Sequence, residues 1–133
     1  VLDQRLLRSG YIARLKARDI DVHVRLPFLK GALLGEPDEL PPFFEPVIPV
    51  LKDYRSFLAK ANLTPLEGAL GFLRAQPELD VIIVETKNTG QLLDIMAAFY
   101  REISIFETYA DFAVKDSAVV NPANWKLIGF NGV

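Results

Sequence analysis

The chain has 133 residues, half of them hydrophobic, and a formal net charge of −2 from 15 basic and 17 acidic side chains. This length fits one domain with a real core, the composition excludes general disorder, and the mixed charge gives no electrostatic footing for nucleic acid or an anionic membrane. No apolar run approaches the roughly 20 residues of a bilayer span, no signal peptide is visible, and the absence of cysteine beside a single histidine argues against a disulfide frame, a thiolate nucleophile or structural zinc, as expected of a cytoplasmic protein.

The first residue is valine, and residues 1–5 read as the end of a strand, so the chain is expected to be a piece of a longer protein. Residues 5–18 read as a helix with Leu7, Tyr11, Ile12 and Leu15 near one face, weakened near its start by Gly10. Residues 20–26 alternate cleanly. Ile20, Val22, Val24 and Leu26 face one way, and Asp21, His23 and Arg25 face the other. Pro27 ends this strand and opens a Gly- and Pro-rich loop to Pro46, a length that often marks function. Residues 47–61 form a helix with a stripe of Val47, Leu51, Tyr54, Leu58 and Ala61. Pro49 is tolerated there because it lies in the first turn. Asn62-Leu63 breaks the helix, and Thr64-Pro65-Leu66-Glu67 starts another. Thr64 is the N-cap, Pro65 takes the first position, Glu67 completes a capping box, and Leu66, Leu70 and Leu73 carry the helix to about Ala75.

Residues 80–84 are the second complete strand, apolar on both faces, which predicts a parallel sheet covered by helices. A polar turn follows, and a helix starts near Asn88 or Thr89 that is expected to bury Leu92, Ile95 or Met96, and Phe99. A polar turn opening a helix at the carboxyl end of a parallel strand is where α/β proteins hold anionic ligands. Residues 103–112 are apolar and aromatic without clean periodicity, and residues 102–133 read as a C-terminal tail. The whole is an α/β chain of parallel strands with helical crossovers, with three strands at most, too few to close a barrel. Residues 1–133 therefore form a single partial domain.

With these elements placed, the chain resembles the C-terminal half of the aldo/keto reductase family. Residues 1–5 look like the end of that family's sixth strand. Residues 22–34 look like its seventh strand and loop, with Gly31 at the family's glycine position. Residues 64–70 look like its Ser/Thr-Pro-x-x-x-Ala-Leu helix, residues 81–94 like its eighth strand and cofactor turn, and residues 116–125, ending Asn-Pro-Ala-Asn-Trp, like the tail of some bacterial members. The resemblance implies half of a (β/α)8 TIM barrel, incomplete in this chain. It implies an NAD(P)H-dependent oxidoreductase acting on a small carbonyl substrate, whose catalytic Asp, Tyr, Lys and His all lie in the half this chain lacks. No catalytic or metal-binding residue is carried over.

The resemblance implies NADP or NAD as cofactor, contacted at the pyrophosphate by Leu26, Phe28 and Leu29, mostly through backbone, ahead of Gly31. Arg25 stands where many members place a nicotinamide-stacking Tyr. After the eighth strand, Lys87 and Asn88 match the adenosine 2′-phosphate positions, and Gln91 and Asp94 match the pair near the adenine. Leu26, Glu85 and Ile95 depart from the family pattern, with Glu85 replacing a Gly. Each residue also has a structural reading. Arg25 faces either the barrel interior or the polar side of a half-exposed strand, and His23 is better read as a satisfied interior histidine, paired with Asp21 or backbone, than as a ligand. Lys87 on its own reads as a surface lysine, and Gln91 and Asp94 as a solvated helix face. Phe43 and Phe44 either line a pocket or pin the loop. The expected partners are the missing N-terminal half or a second copy. The alternative is a non-catalytic interaction or regulatory module that keeps the fold.

Overall fold

The computed structural model describes residues 2–103. The tail beyond Ile103, with Phe106, Tyr109, Phe112, Trp125 and the 116–125 motif, lies outside the described residues. Among those described, the elements are α1 (Arg5–Arg8), α2 (Tyr11–Lys16), β1 (His23–Arg25), α3 (Ile48–Lys60), α4 (Pro65–Arg74), β2 (Val81–Ile83) and α5 (Thr89–Tyr100). β1 and β2 pair in parallel, with His23 opposite Val81, Val24 opposite Ile82 and Arg25 opposite Ile83. The fold is α/β as expected: two parallel neighbours joined through α3 and α4, the long crossover that a parallel pair requires.

The N-terminal expectations are corrected. Residues 2–4 are not in a strand, and α1 begins at Arg5. The Asp3 carboxylate accepts from the Arg5 backbone N–H at 3.1 Å and from its guanidinium at 2.7 and 2.9 Å, a local clasp that takes the place of sheet pairing. The single helix over 5–18 is two, because Gly10 adopts φ +68, a left-handed conformation open to glycine, and becomes the N-cap of α2. The second helix closes in a Schellman motif. Asp19 sits at φ +56, its N–H donates to Lys16 O, and the Ile20 N–H donates to Leu15 O. This motif claims Ile20 as helix-end backbone, so β1 starts later than the alternation predicted, and Ile20 is exposed.

The loop after β1 is organised. It contains 3-10 segments at Leu29–Gly31, Pro37–Glu39 and Pro42–Val47, and it buries Phe28, Ala32, Leu33 and Pro37. Arg55 on α3 donates to the carbonyls of Leu34 (2.9 Å) and Gly35 and pairs with Glu36, holding the loop against the helix. Phe43 and Phe44 contact each other edge to face, with ring centroids 5.4 Å apart.

The central helices follow the sequence closely. Leu51, Tyr54 and Leu58 are buried along α3. Asn62 takes φ +53 and Leu63 N–H donates to Leu58 O, ending α3 where a break is predicted. Thr64 caps α4, with Glu67 N–H donating to its hydroxyl and the Glu67 carboxylate accepting from Thr64 N–H at 2.7 Å. Ala69, Leu70, Phe72 and Leu73 join Leu51, Tyr54, Leu58, Leu33 and Phe28 in one core, which Ala98 of α5 also enters.

Two burial expectations are overturned. β2 is not covered on both faces. Val24, Ile82 and Val84 pack onto the helical core, while Val81 and Ile83 are each 40% exposed beside His23 and Arg25. On α5, Ala98 is buried and Ile95 and Phe99 are half-buried, but Leu92 and Met96 are exposed. Both follow from helices lying on one side of a two-stranded sheet, with nothing among the described residues packed outside α5.

Candidate functional site

Because β1 and β2 run parallel in near-level register, the chain leaves both at the same end of the sheet. The loop beginning at Leu26 and the turn beginning at Val84 are therefore neighbours at the carboxyl end, where parallel α/β sheets place ligands. The two segments that carry the candidate residues, 25–31 and 84–94, hold three cations, Arg25, Lys30 and Lys87, against two carboxylates, Glu85 and Asp94. Anionic groups are favoured at this end although the whole chain is slightly acidic.

In the first loop, Arg25 is exposed on the open face of the sheet, opposite Ile83. The expected parity holds: Val24 turns toward the helices. His23 shares the open face and is exposed, so it is not an interior histidine. Phe28 is buried in the core, which leaves only its backbone to meet a ligand. Leu26 (φ +54), Leu29 (φ +50), Lys30 (φ +56) and Gly31 (φ +95) all adopt left-handed backbone. Such conformations cost a non-glycine residue of order 1–2 kcal/mol, and they cluster at ligand clamps and switch regions. The coil is tightened by Leu29 N–H to Leu26 O (3.1 Å), Gly31 N–H to Phe28 O (2.9 Å) and Leu33 N–H to Phe28 O (3.2 Å). Gly31 was legible as a turn residue, but nothing in the identities of Leu26, Leu29 and Lys30 announces positive φ. Lys30, beside Gly31, adds a cation to the same left-handed loop.

In the second segment, Lys87 is exposed, and its side chain joins no ion pair among the described residues. Asn88 is the N-cap of α5, its Oδ1 accepting from Gln91 N–H at 2.9 Å. Gln91 reaches back, its Oε1 accepting from Lys87 N–H at 2.8 Å. The two side chains lock the turn, leaving their amide NH2 groups as donors. Asp94 lies one turn further along, exposed, next to Gln91 on the helix surface. The structure thus brings Leu26, Leu29, Gly31, Lys87 and Asn88 to one end of the sheet, with Gln91 and Asp94 on the helix leading away.

Carboxylates whose pKa the fold lowers lie elsewhere. Asp80, at the opposite end of β2, is held below the usual carboxylate range by Lys16 Nζ at 2.7 Å and by the Val22 N–H at 2.7 Å. Burial pushes the Glu67 carboxyl up, but hydrogen bonds from Thr64 and Arg101 outweigh it and the pKa is lowered. Both serve architecture: Asp80 ties α2 to the strands, and Glu67 ties the start of α4 to the end of α5. Among the described residues, no group of acidic, histidine or cysteine side chains is arranged to hold a metal, and no helix is long and apolar enough to cross a membrane. No protein-family model matches the chain, and no curated protein matches it.

Proposed function

We propose that this chain is the C-terminal part of an NAD(P)H-dependent oxidoreductase of the aldo/keto reductase type, half of a (β/α)8 barrel. On this reading it supplies the pyrophosphate and adenosine side of the cofactor site. The observation that carries the reading is the convergence of a left-handed, Gly31-containing loop and the Lys87 turn at the carboxyl end of two adjacent parallel strands, with cations in excess. The donor set fits the phosphate part of a nicotinamide dinucleotide. Backbone groups of Leu26 and Phe28 would meet the pyrophosphate ahead of Gly31, the Leu29 and Gly31 N–H groups being used within the loop, with Arg25 toward the nicotinamide. Lys87 and the Asn88 amide would meet an adenosine 2′-phosphate, and Gln91 and Asp94 the adenine. When bound, the cofactor supplies hydride to a carbonyl carbon. The proton donor and the other catalytic groups belong to the missing half, so the chain alone is expected to be inactive and to bind cofactor weakly. A cytoplasmic location is part of the same proposal.

Fluorescence titration with NADPH tests this in the intact parent. Saturable binding is expected, weakened about tenfold by Lys87→Ala through loss of a charge-assisted contact. Absence of binding at millimolar NADPH would sink the reading. The second reading is a non-catalytic interaction or regulatory module, favoured by the exposed Glu85 carboxylate beside the phosphate positions and by the apolar Leu26 and Ile95 at positions where the family carries polar side chains. An intact Asp/Tyr/Lys/His set in the parent's N-terminal half excludes it.

A further inference from the structure

Among the described residues, nothing covers the outer face of α5, which is apolar. Leu92, Leu93, Met96 and Tyr100 are 42%, 61%, 47% and 71% exposed, and Ala97 is exposed among them. At 3.6 residues per turn these five form one stripe about 140° wide, directly opposite the buried Ala98. An ordinary surface helix is polar on that side, and a contiguous apolar patch marks an interaction site. The stripe is bounded by opposite charges. Lys87 precedes the helix and Glu102 lies just past its end. Both are exposed, and neither joins an ion pair among the described residues.

This arrangement is self-complementary, as a two-fold contact requires. Laid antiparallel on itself with Leu93 against the partner's Met96, the helix also sets Leu92 against Ala97 and Thr89 against Tyr100, and brings Lys87 and Glu102, in the extended backbone just outside the helix, to the same end of the pair. Each contact is made twice, and the two helix dipoles oppose. We propose that the outer face of α5 pairs antiparallel with the same face of a second copy, through Leu92, Leu93, Met96 and Tyr100, with Lys87 and Glu102 joined across the ends. Four large side chains per copy fall short of the roughly 800 Å² per partner of a standard interface. The dimer therefore belongs to the weak class, with a dissociation constant on the order of 10–100 µM.

Sedimentation equilibrium of the full chain without ligand, over concentrations bracketing that constant, tests the pairing independently of the nucleotide reading. A reversible monomer–dimer equilibrium is expected. Leu93→Glu should abolish it with an unchanged far-UV circular dichroism spectrum, and Met96→Gln, a gentler change on the same stripe, should weaken it. Lys87→Glu sets like charges across the contact twice and should weaken association about tenfold, and adding Glu102→Lys should restore it. A chain that is monomeric throughout overturns the proposal and leaves the face to another occupant, such as the preceding part of a longer parent. A dimer indifferent to both stripe substitutions, or a Lys87→Glu defect that Glu102→Lys does not repair, overturns it equally.

Discussion

Gly68 sits where α4 crosses α3, and replacing it with alanine tests how tightly that seam is closed. A Cβ at this position would lie 2.5 Å from Leu58 Cδ2, 2.8 Å from Tyr54 Oη and 3.0 Å from Leu58 Cδ1. Carbon contacts normally settle at about 3.5–4.0 Å, so the overlap is about 1 Å. Leu58 and Tyr54 are 1% and 0% exposed, so neither can swing outward. Overpacking of this kind costs about 1–3 kcal/mol, opposed by the gain of about 0.8–1.0 kcal/mol for alanine over glycine inside a helix. Gly68→Ala is therefore expected to destabilise by about 1 kcal/mol, lowering Tm by about 4 °C for a chain of this size. Urea unfolding followed by circular dichroism should show a lower midpoint with an unchanged slope. Leu58→Ala removes two of the three close atoms. In that background the same glycine substitution should be neutral or stabilising, a coupling of about 1 kcal/mol in a double-mutant cycle. Stabilisation by Gly68→Ala in the otherwise unchanged chain, or strict additivity with Leu58→Ala, refutes the close-packed seam.

Glu67→Gln keeps the shape of the capping box but removes the charge that holds Thr64 and Arg101, and should cost about 1 kcal/mol in thermal or urea unfolding. Because folding lowers the Glu67 pKa, its contribution is complete above the ordinary carboxylate value near 4.5 and is lost as pH falls through the lower folded value. The acid limb of a Tm-against-pH curve should therefore be shallower in Glu67→Gln, and an unchanged limb rejects the role. Asp80→Asn should lower Tm at pH 7 and show the same flattening in acid, since the Asp80 pKa is also lowered; added salt should narrow the gap between the two proteins. Gly31→Ala forces a side chain into φ +95 and should destabilise by about 1 kcal/mol. Lys30→Gly relieves φ +56 and should be neutral or stabilising, a contrast that hydrogen exchange of the 28–34 amides would resolve.

How much of this was legible depended on where the determining interaction lies. The start of α4 was fully readable, because Thr64, Pro65 and Glu67 act on one another within a single turn. The α3 stripe was readable because Leu51, Tyr54 and Leu58 face a core that the same chain supplies. Gly10 was visible as a weakness but not as a break, since the left-handed cap it adopts depends on how α1 and α2 pack. The left-handed run through Leu26, Leu29 and Lys30 was invisible, because leucine and lysine hold such a conformation only under tertiary constraint. Burial at β2 and α5 departs from the sequence pattern for a different reason. Apolar residues report what can be covered, and the described chain offers no cover for Val81, Ile83, Leu92 or Met96. In the candidate site, the polar turn and the helix start near Asn88 are readable, but the way Asn88 and Gln91 interlock to cap α5 is not.

That interlock explains how α5 stays placed with so little of it buried. A helix of about 12 residues is marginal on its own, and only Ala98 is fully enclosed. Its start is fixed by Asn88 and Gln91. Its end is fixed by Arg74, which donates to Phe99 O at 2.7 Å, and by Arg101, which pairs with Glu67 and donates to Asn62 O at 3.2 Å. Polar anchors at both ends do the positioning that burial does for α3 and α4. The Lys87 turn is consequently held at the mouth of the sheet, and the open apolar stripe is held in a fixed orientation. The cation at the candidate phosphate site and the proposed pairing face are thus presented by one helix, and both depend on the same five polar contacts.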